Sequence, residues 1–247
     1  NLVLQVGHVE RFNPAFAAAA HVHKPRYIEA VRASGYTGRS IDVGVVLDLM
    51  IHDIDLVLTL AAGELLEVDA VGTAVLGPHE DMAHAHLRFA NGCRATLNAS
   101  RTSYQPQRKM QIYGEQSYVG IDFTAGNAKI IRPSEPVRRR QIDVQQLSPD
   151  QRRQLQERLF TDLLLVEDVT VEKRNAILDE QHDFVISIRS GQPPQVTGQH
   201  GRDALAVAER ILAQIHEQQP SAHRPAPPQG PHWDLAPQRA PQPIRKA

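Results

Sequence analysis

The stretch Leu66-Glu67-Val68-Asp69-Ala70-Val71-Gly72-Thr73-Ala74-Val75-Leu76, followed by Ala83-His84-Ala85-His86-Leu87-Arg88-Phe89-Ala90-Asn91-Gly92-Cys93-Arg94-Ala95-Thr96-Leu97-Asn98-Ala99, decides the fold class. Small or apolar residues recur at every second position, and side chains two apart on a strand share a face. Asn91-Gly92 supplies a hairpin turn between two such runs. Further alternating segments at 109–113, 118–123 and 129–132 extend the pattern to an antiparallel meander.

Working upstream, residues 45–62 carry Leu47, Met50, Ile51, Ile54, Val57, Leu58 and Ala61 at three- and four-residue spacings, which predicts a helix ended by Gly63. Residues 35–44 read as a loop. Residues 25–33 read as a strand with Tyr27, Glu29 and Val31 on one face and Ile28, Ala30 and Arg32 on the other. Asn13-Pro14 before an Ala-rich run predicts a helix start with Asn as cap. Leu2-Val3-Leu4-Gln5-Val6 reads as a buried strand that follows directly on Asn1, without an initiator Met. This suggests the downstream part of a longer protein.

Downstream, Arg138-Arg139-Arg140 reads as a solvated loop or edge. Ser148-Pro149 opens a charged helical stretch. Phe184 and Ile188, then Ala204, Val207, Ala208, Ile211 and Ile215, mark two amphipathic helices around the loop Gly191-Gln192-Pro193-Pro194. From Pro220 the chain holds 8 of its 17 prolines, too little apolar matter to offset ordering. The domain expected is therefore 1–217, with 218–247 a Pro-rich disordered tail. The 247 residues carry 27 Lys and Arg against 28 Asp and Glu, so there is no basic field for a nucleic-acid backbone. No apolar run reaches the roughly 20 residues of a membrane span. One cysteine, Cys93, excludes an internal disulfide, and with no leader in view the expected location is cytoplasmic.

Several clusters could carry chemistry. Asp48 and His52 are four apart on the helix and Asp55 lies three beyond His52, whereas Asp53 points elsewhere. A carboxylate beside an imidazole raises its pKa and fixes its tautomer, as a general base requires; an ordinary charged helix surface is the plain alternative. The segment Gly7-His8-Val9-Glu10-Arg11-Phe12-Asn13-Pro14 follows the first strand, where polar groups are placed to meet a ligand. Arg11 offers two donors to a carboxylate or phosphate. His84 and His86 share a strand face at a spacing seen in metal sites, with His79 and Asp81 upstream. Arg88 on that face argues against a cation, so no metal is expected. Cys93 has no local His to activate it.

Two motifs, Val6-Gly7-His8-Val9-Glu10-Arg11-Phe12-Asn13-Pro14 and Asp48-Leu49-Met50-Ile51-His52-Asp53-Ile54-Asp55, resemble the Gfo/Idh/MocA family of NAD(P)-dependent sugar and cyclitol dehydrogenases. The likeness continues through Gly191 to Pro194 and Gly201-Arg202-Asp203-Ala204-Leu205. It implies an α+β fold: a large, mostly antiparallel sheet with helices packed on one face. It also implies His52 and Asp48 as catalytic residues, with Asp48 orienting His52. His8, Arg11, Asn13, Asp55 and Arg101 would bind substrate, with Arg108 a further candidate, and Arg11 and Asn13 would also face the nicotinamide. The family usually has Gly where this chain has Met50. The sequence holds no G-x-G-x-x-G, and its Lys24-Pro25 lacks the preceding Glu of the family's motif. The resemblance therefore implies a substrate and oligomerisation half whose main NAD or NADP domain lies elsewhere, and which is inactive alone. The motif wording is nearest to members that act on UDP-N-acetylglucosamine. A homo-oligomer formed through the sheet face is expected, and a non-catalytic sugar-binding or scaffold module is the alternative.

Overall fold

A computed structural model of the chain describes residues 2–22, 24–40, 42–169, 171 and 174–218. The tail expected over 218–247 lies, but for its first residue, outside them. The core is one eight-stranded sheet built from β1 (Tyr27–Ala33), β2 (Leu65–Thr73), β3 (Met82–Phe89), β4 (Arg94–Ser100), β5 (Gln107–Tyr113), β6 (Tyr118–Asp122), β7 (Asn127–Pro133) and β8 (Leu164–Val169). Their order is β2-β3-β4-β1-β5-β6-β7-β8, and the only parallel pair among the described residues is β1 with β4. The meander is therefore real but divided: β1 enters between β4 and β5 and pairs along both edges. Its inward side chains Ile28, Ala30 and Arg32 are buried, as expected of a central strand.

One face of the sheet carries the core. Ala83, Ala85, Leu87 and Phe89 of β3, Ala95, Leu97 and Ala99 of β4, and Met110 and Ile112 of β5 are all buried. This face is covered by α1 (Ile51–Ala61) and α5 (Gly198–Gln218), while the 3-10 helix Pro14–His21 packs on β6 and β7. Asn13 Oδ1 caps that helix by accepting from the Ala15 N–H at 3.0 Å. Gly72 lets α5 approach β2, because a Cβ there would stand 2.8 Å from Ile215 Cδ1. The helix expected over 45–62 begins with a π turn, Val46–Met50, and ends at Ala62, which takes the left-handed conformation (φ 46°) in place of Gly63.

Other expectations need correction. Leu2 to Val6 is not a buried strand: Leu2 and Leu4 are exposed, and the segment makes a single bridge, Gln5 to Thr197. The charged helical stretch is α3 (Pro149–Glu157), opened by a Ser148 capping box, but the chain then turns into edge strand β8, whose apolar residues do not alternate. In α4 (Ala176–Ser190) Phe184 and Ile188 are exposed and only Ser187 is buried, since its main contact is the short turn Val9–Phe12. Arg138, at the end of α2 (Glu135–Arg138), and Arg139 both pair with Glu135 at the surface. No described helix is long and apolar enough to cross a membrane.

Candidate active site

His8 and His52 meet where four parts of the chain converge: the segment before the turn Val9–Phe12, β1, the start of α1 and the start of α5. Val6 N–H donates to the Val196 carbonyl at 3.1 Å, which ties the segment carrying His8 to the approach of α5. Gly201 is needed there, because a Cβ would fall 2.6 Å from Val6 Cγ2. On the other side the helix start is fixed by Glu80. Its Oε1 accepts from the Val46 N–H at 3.1 Å and its carbonyl from the Val45 N–H at 3.0 Å. The Glu80 carboxylate occupies the space that a Cβ on Gly44 would fill.

The two imidazoles are perpendicular, with ring centroids 5.8 Å apart. His8 is buried, and neither ring nitrogen has a hydrogen-bond partner among the described residues; the same is true of His52 Nδ1. That leaves His52 Nε2 as the nitrogen open to a ligand. Unpaired buried polar nitrogens are costly, and this density of them marks a place where a hydrogen-bonding ligand belongs. Burial lowers the pKa of both rings. At His52, Arg32 and His8 add to the lowering while Asp53 and Glu10 oppose it. At His8, Asp55 opposes it and Arg11 and His200 add to it. The expected rise of His52 is thus reversed, since burial of the ring, with Arg32 and His8, outweighs the raising effect of Asp53 and Glu10.

Asp48 is half-buried on the π turn and forms no hydrogen bond or ion pair with His52. The wider turn breaks the simple i, i+4 geometry that paired them in sequence. The carboxylate that is structurally engaged is Asp53, with Glu10. Arg32 donates from Nε to Asp53 Oδ2 at 2.9 Å and from Nη2 to Asp53 Oδ1 at 2.7 Å, while its Nη1 reaches Glu10 Oε1 at 3.1 Å. Burial works against the Arg32 charge, but Asp53 and Glu10 outweigh it and hold the guanidinium above its ordinary value. Arg108 stands 3.3 Å from the same Glu10 oxygen. Sequence reasoning missed this network, although Arg32 on the inward face of β1 signalled a buried charge in need of partners.

Three further assignments change. Arg11 donates from Nε and Nη2 to Asp55, at 2.7 and 2.8 Å, which holds the Asp55 carboxylate and leaves Arg11 Nη1 without a partner among the described residues. Asn13 caps its helix through Oδ1 and donates from Nδ2 to Glu10 at 3.1 Å. Arg101 is buried and holds Asp81 together with the carbonyls of Ser40 and Val43, which makes it a clamp on the loop before the helix. A cleft of about 700 Å³ lies between α1 and α5, lined by Arg11, Asp55, Thr59, His200, Asp203 and Arg210. Burial pushes the Cys93 thiol up to about 11, which suits a packed side chain rather than a nucleophile.

Residues 14–119, a span that includes Asp48 and His52, match the family profile of the GFO/IDH/MocA C-terminal domain. Among its relatives is the UDP-N-acetylglucosamine 3-dehydrogenase of Acidithiobacillus ferrooxidans, 34% identical over 224 residues, which are 87% of this chain and 63% of that protein. The solved structure of that enzyme superposes with a TM-score of 0.71 at 33% identity, covering 87% of this chain and 62% of that one. The myo-inositol 2-dehydrogenase of Thermotoga maritima is 23% identical over 200 residues, 78% of this chain and 51% of that protein. The chain thus spans less than two thirds of the curated relatives it matches.

Proposed function

We propose that this chain is the substrate-binding and catalytic half of an NAD(P)-dependent oxidoreductase. It moves hydride between nicotinamide and a hydroxyl-bearing carbon of a sugar or nucleotide sugar, with a UDP-N-acetylglucosamine-like substrate. The observation that carries this reading is the pair of buried or half-buried imidazoles, His8 and His52, with three ring nitrogens that have no partner among the described residues. A sugar hydroxyl meets the pair at His52 Nε2, the one ring nitrogen that the protein does not enclose. His52 takes the hydroxyl proton at Nε2, and its lowered pKa keeps it in the free-base form near neutral pH. His8 holds the substrate from the opposite side. The Asp48 carboxylate, which has no side-chain partner among the described residues, accepts a hydrogen bond from a neighbouring hydroxyl rather than orienting His52.

Nicotinamide, when bound, supplies the hydride acceptor. The fit of this chain to the cofactor is partial: Asn13 is taken up by its helix cap and Glu10, while Arg11, bonded to Asp55 through Nε and Nη2, keeps Nη1 for a nicotinamide-side contact. With no G-x-G-x-x-G in the sequence, the dinucleotide is best placed on a separate nucleotide-binding domain.

The identity to the UDP-N-acetylglucosamine enzyme supports the substrate class over free cyclitols. The test is reduced-nicotinamide formation by the full-length polypeptide bearing this chain, offered UDP-N-acetylglucosamine, myo-inositol or glucose. Turnover of the nucleotide sugar is expected. Preference for inositol would reassign the substrate, and sugar binding without turnover would make this a binding module. A homo-oligomer through the outer sheet face is also proposed. Support comes from a groove of about 610 Å³ there, bordered by the exposed side chains of Val71, Met82 and Tyr104. A light-scattering mass of one chain would argue against it.

A further inference from the structure

Three arginines, Arg11, Arg101 and Arg108, suit an anionic group by residue type, and the structure leaves one of them with a free pair of donors. Arg101 is buried, with Nε on Asp81 and Nη1 on the carbonyls of Ser40 and Val43. Arg11 gives Nε and Nη2 to Asp55 and keeps only Nη1. Arg108 is half-exposed and makes one contact, Nη1 to Glu10 Oε1 at 3.3 Å, so its Nε and Nη2 have no partner among the described residues. We propose that Arg108 grips the diphosphate of a nucleoside diphosphate sugar and so selects a nucleotide sugar over a free one. This rests on the substrate class proposed above.

The sheet places Arg108 beside the imidazole cluster. β1 and β5 pair so that Arg108 stands directly across from Arg32, and alternation puts it on the helix-covered face with the buried Met110 and Ile112. The Phe123 N–H donates to the Arg108 carbonyl at 2.9 Å, which fixes the backbone at that point. Arg32 and Glu10 both bear electrostatically on His52, so one carboxylate separates Arg108 from the surroundings of the proposed base. A nucleotide sugar carries its diphosphate on the anomeric carbon. The anion therefore lies within one sugar ring of a hydroxyl held at His52 Nε2.

Glu10 does not depend on Arg108. Its Oε1 accepts from Arg32 Nη1 at 3.1 Å and its Oε2 from Asn13 Nδ2 at 3.1 Å, so Arg108 can turn to a ligand without leaving a buried carboxylate bare. The side-on pair of donors, Nε with Nη2, is the one that meets two phosphate oxygens at once, and a neutral sugar offers no charge for it to match. Arg11 has lost that pair to Asp55. Lys109, the next residue, lies on the outer face 3.9 Å from Asp122 and takes no part.

Isothermal titration of the full-length polypeptide bearing this chain, its dinucleotide site saturated with reduced nicotinamide cofactor, compares UDP with uridine, which differ only by the diphosphate. Arg108→Gln is expected to lose about 10- to 100-fold in UDP affinity, the loss of charge-assisted hydrogen bonds, with uridine binding unchanged. Arg108→Lys keeps the charge without the paired donors and should fall between wild type and Arg108→Gln; it also carries the test if Arg108→Gln does not fold. The ratio of UDP to uridine affinity is read within each variant, so a general loss of folded protein cancels. An equal ratio in wild type and variants would overturn the proposal and leave the substrate class standing, as would equal binding of UDP and uridine by the wild type. Absence of binding by UDP, uridine and UDP-N-acetylglucosamine alike would overturn the substrate class and the proposal with it.

Discussion

On the proposed function, in which this chain works together with a nucleotide-binding domain, replacing His52 by alanine is expected to lower turnover about 100-fold or more, the usual loss for a positioned general base. Oxidation of a hydroxyl removes a hydride from carbon and a proton from oxygen, and His52 Nε2 is the open basic atom of the buried cluster. Its environment also sets a pH signature. Burial lowers the His52 pKa, and Arg32 and His8 lower it further, so the free base persists into mild acid. The acid limb of kcat/KM should therefore fall below about pH 6.5, the ordinary histidine value. Asp48→Asn separates catalysis from positioning. Because Asp48 makes no bond to His52, that variant should leave the acid limb where it is and act chiefly on KM. Turnover unchanged in His52→Ala would remove His52 from the mechanism.

Much of the fold was legible because burial imposes period. Alternation over β3 and β4 names the inward residues correctly from Ala83 to Ala99, the hairpin at Asn91-Gly92 is where it was expected, and Gly92 takes a φ of 85°. The face of β1 was legible for the same reason. Its place in the sheet was not, since alternation says which side is buried but nothing about which strand lies alongside. The segment of Leu2 to Val6 misled because apolar content alone does not distinguish a core strand from a surface run held by one bridge. In the site, residue types were readable and partners were not. His8 and His52 were singled out, yet Asp48 was given the role of neighbour to His52, because spacing on an ideal helix cannot foresee a π turn. Arg11 was read as a ligand group, and its ion pair with Asp55, which stood in the same helix motif, was not foreseen.

Removal of the Arg32 side chain as Arg32→Met is expected to destabilise the chain by about 3–5 kcal/mol, the cost of leaving a buried ion pair without one member. Arg32, Asp53 and Glu10 are each no more than 5% exposed. Their charges, with the half-exposed Arg108, sum to zero. Taking away Arg32 leaves two buried carboxylates and a single partly solvated guanidinium, 3.3 Å from Glu10 and paired only with it. For a domain of this size the loss corresponds to a fall in melting temperature on the order of 10 °C. Arg32→Lys keeps the charge but not the two-pronged contact to Asp53, so its loss should be smaller without vanishing. The double variant Arg32→Met with Asp53→Leu should recover part of the single-variant loss, because the uncompensated charge goes with its partner. A melting temperature unmoved by Arg32→Met would show that water or rearrangement satisfies the carboxylates. The same residue couples stability to chemistry: Arg32 lowers the His52 pKa, so any variant lacking it that still folds should also carry its acid limb to higher pH.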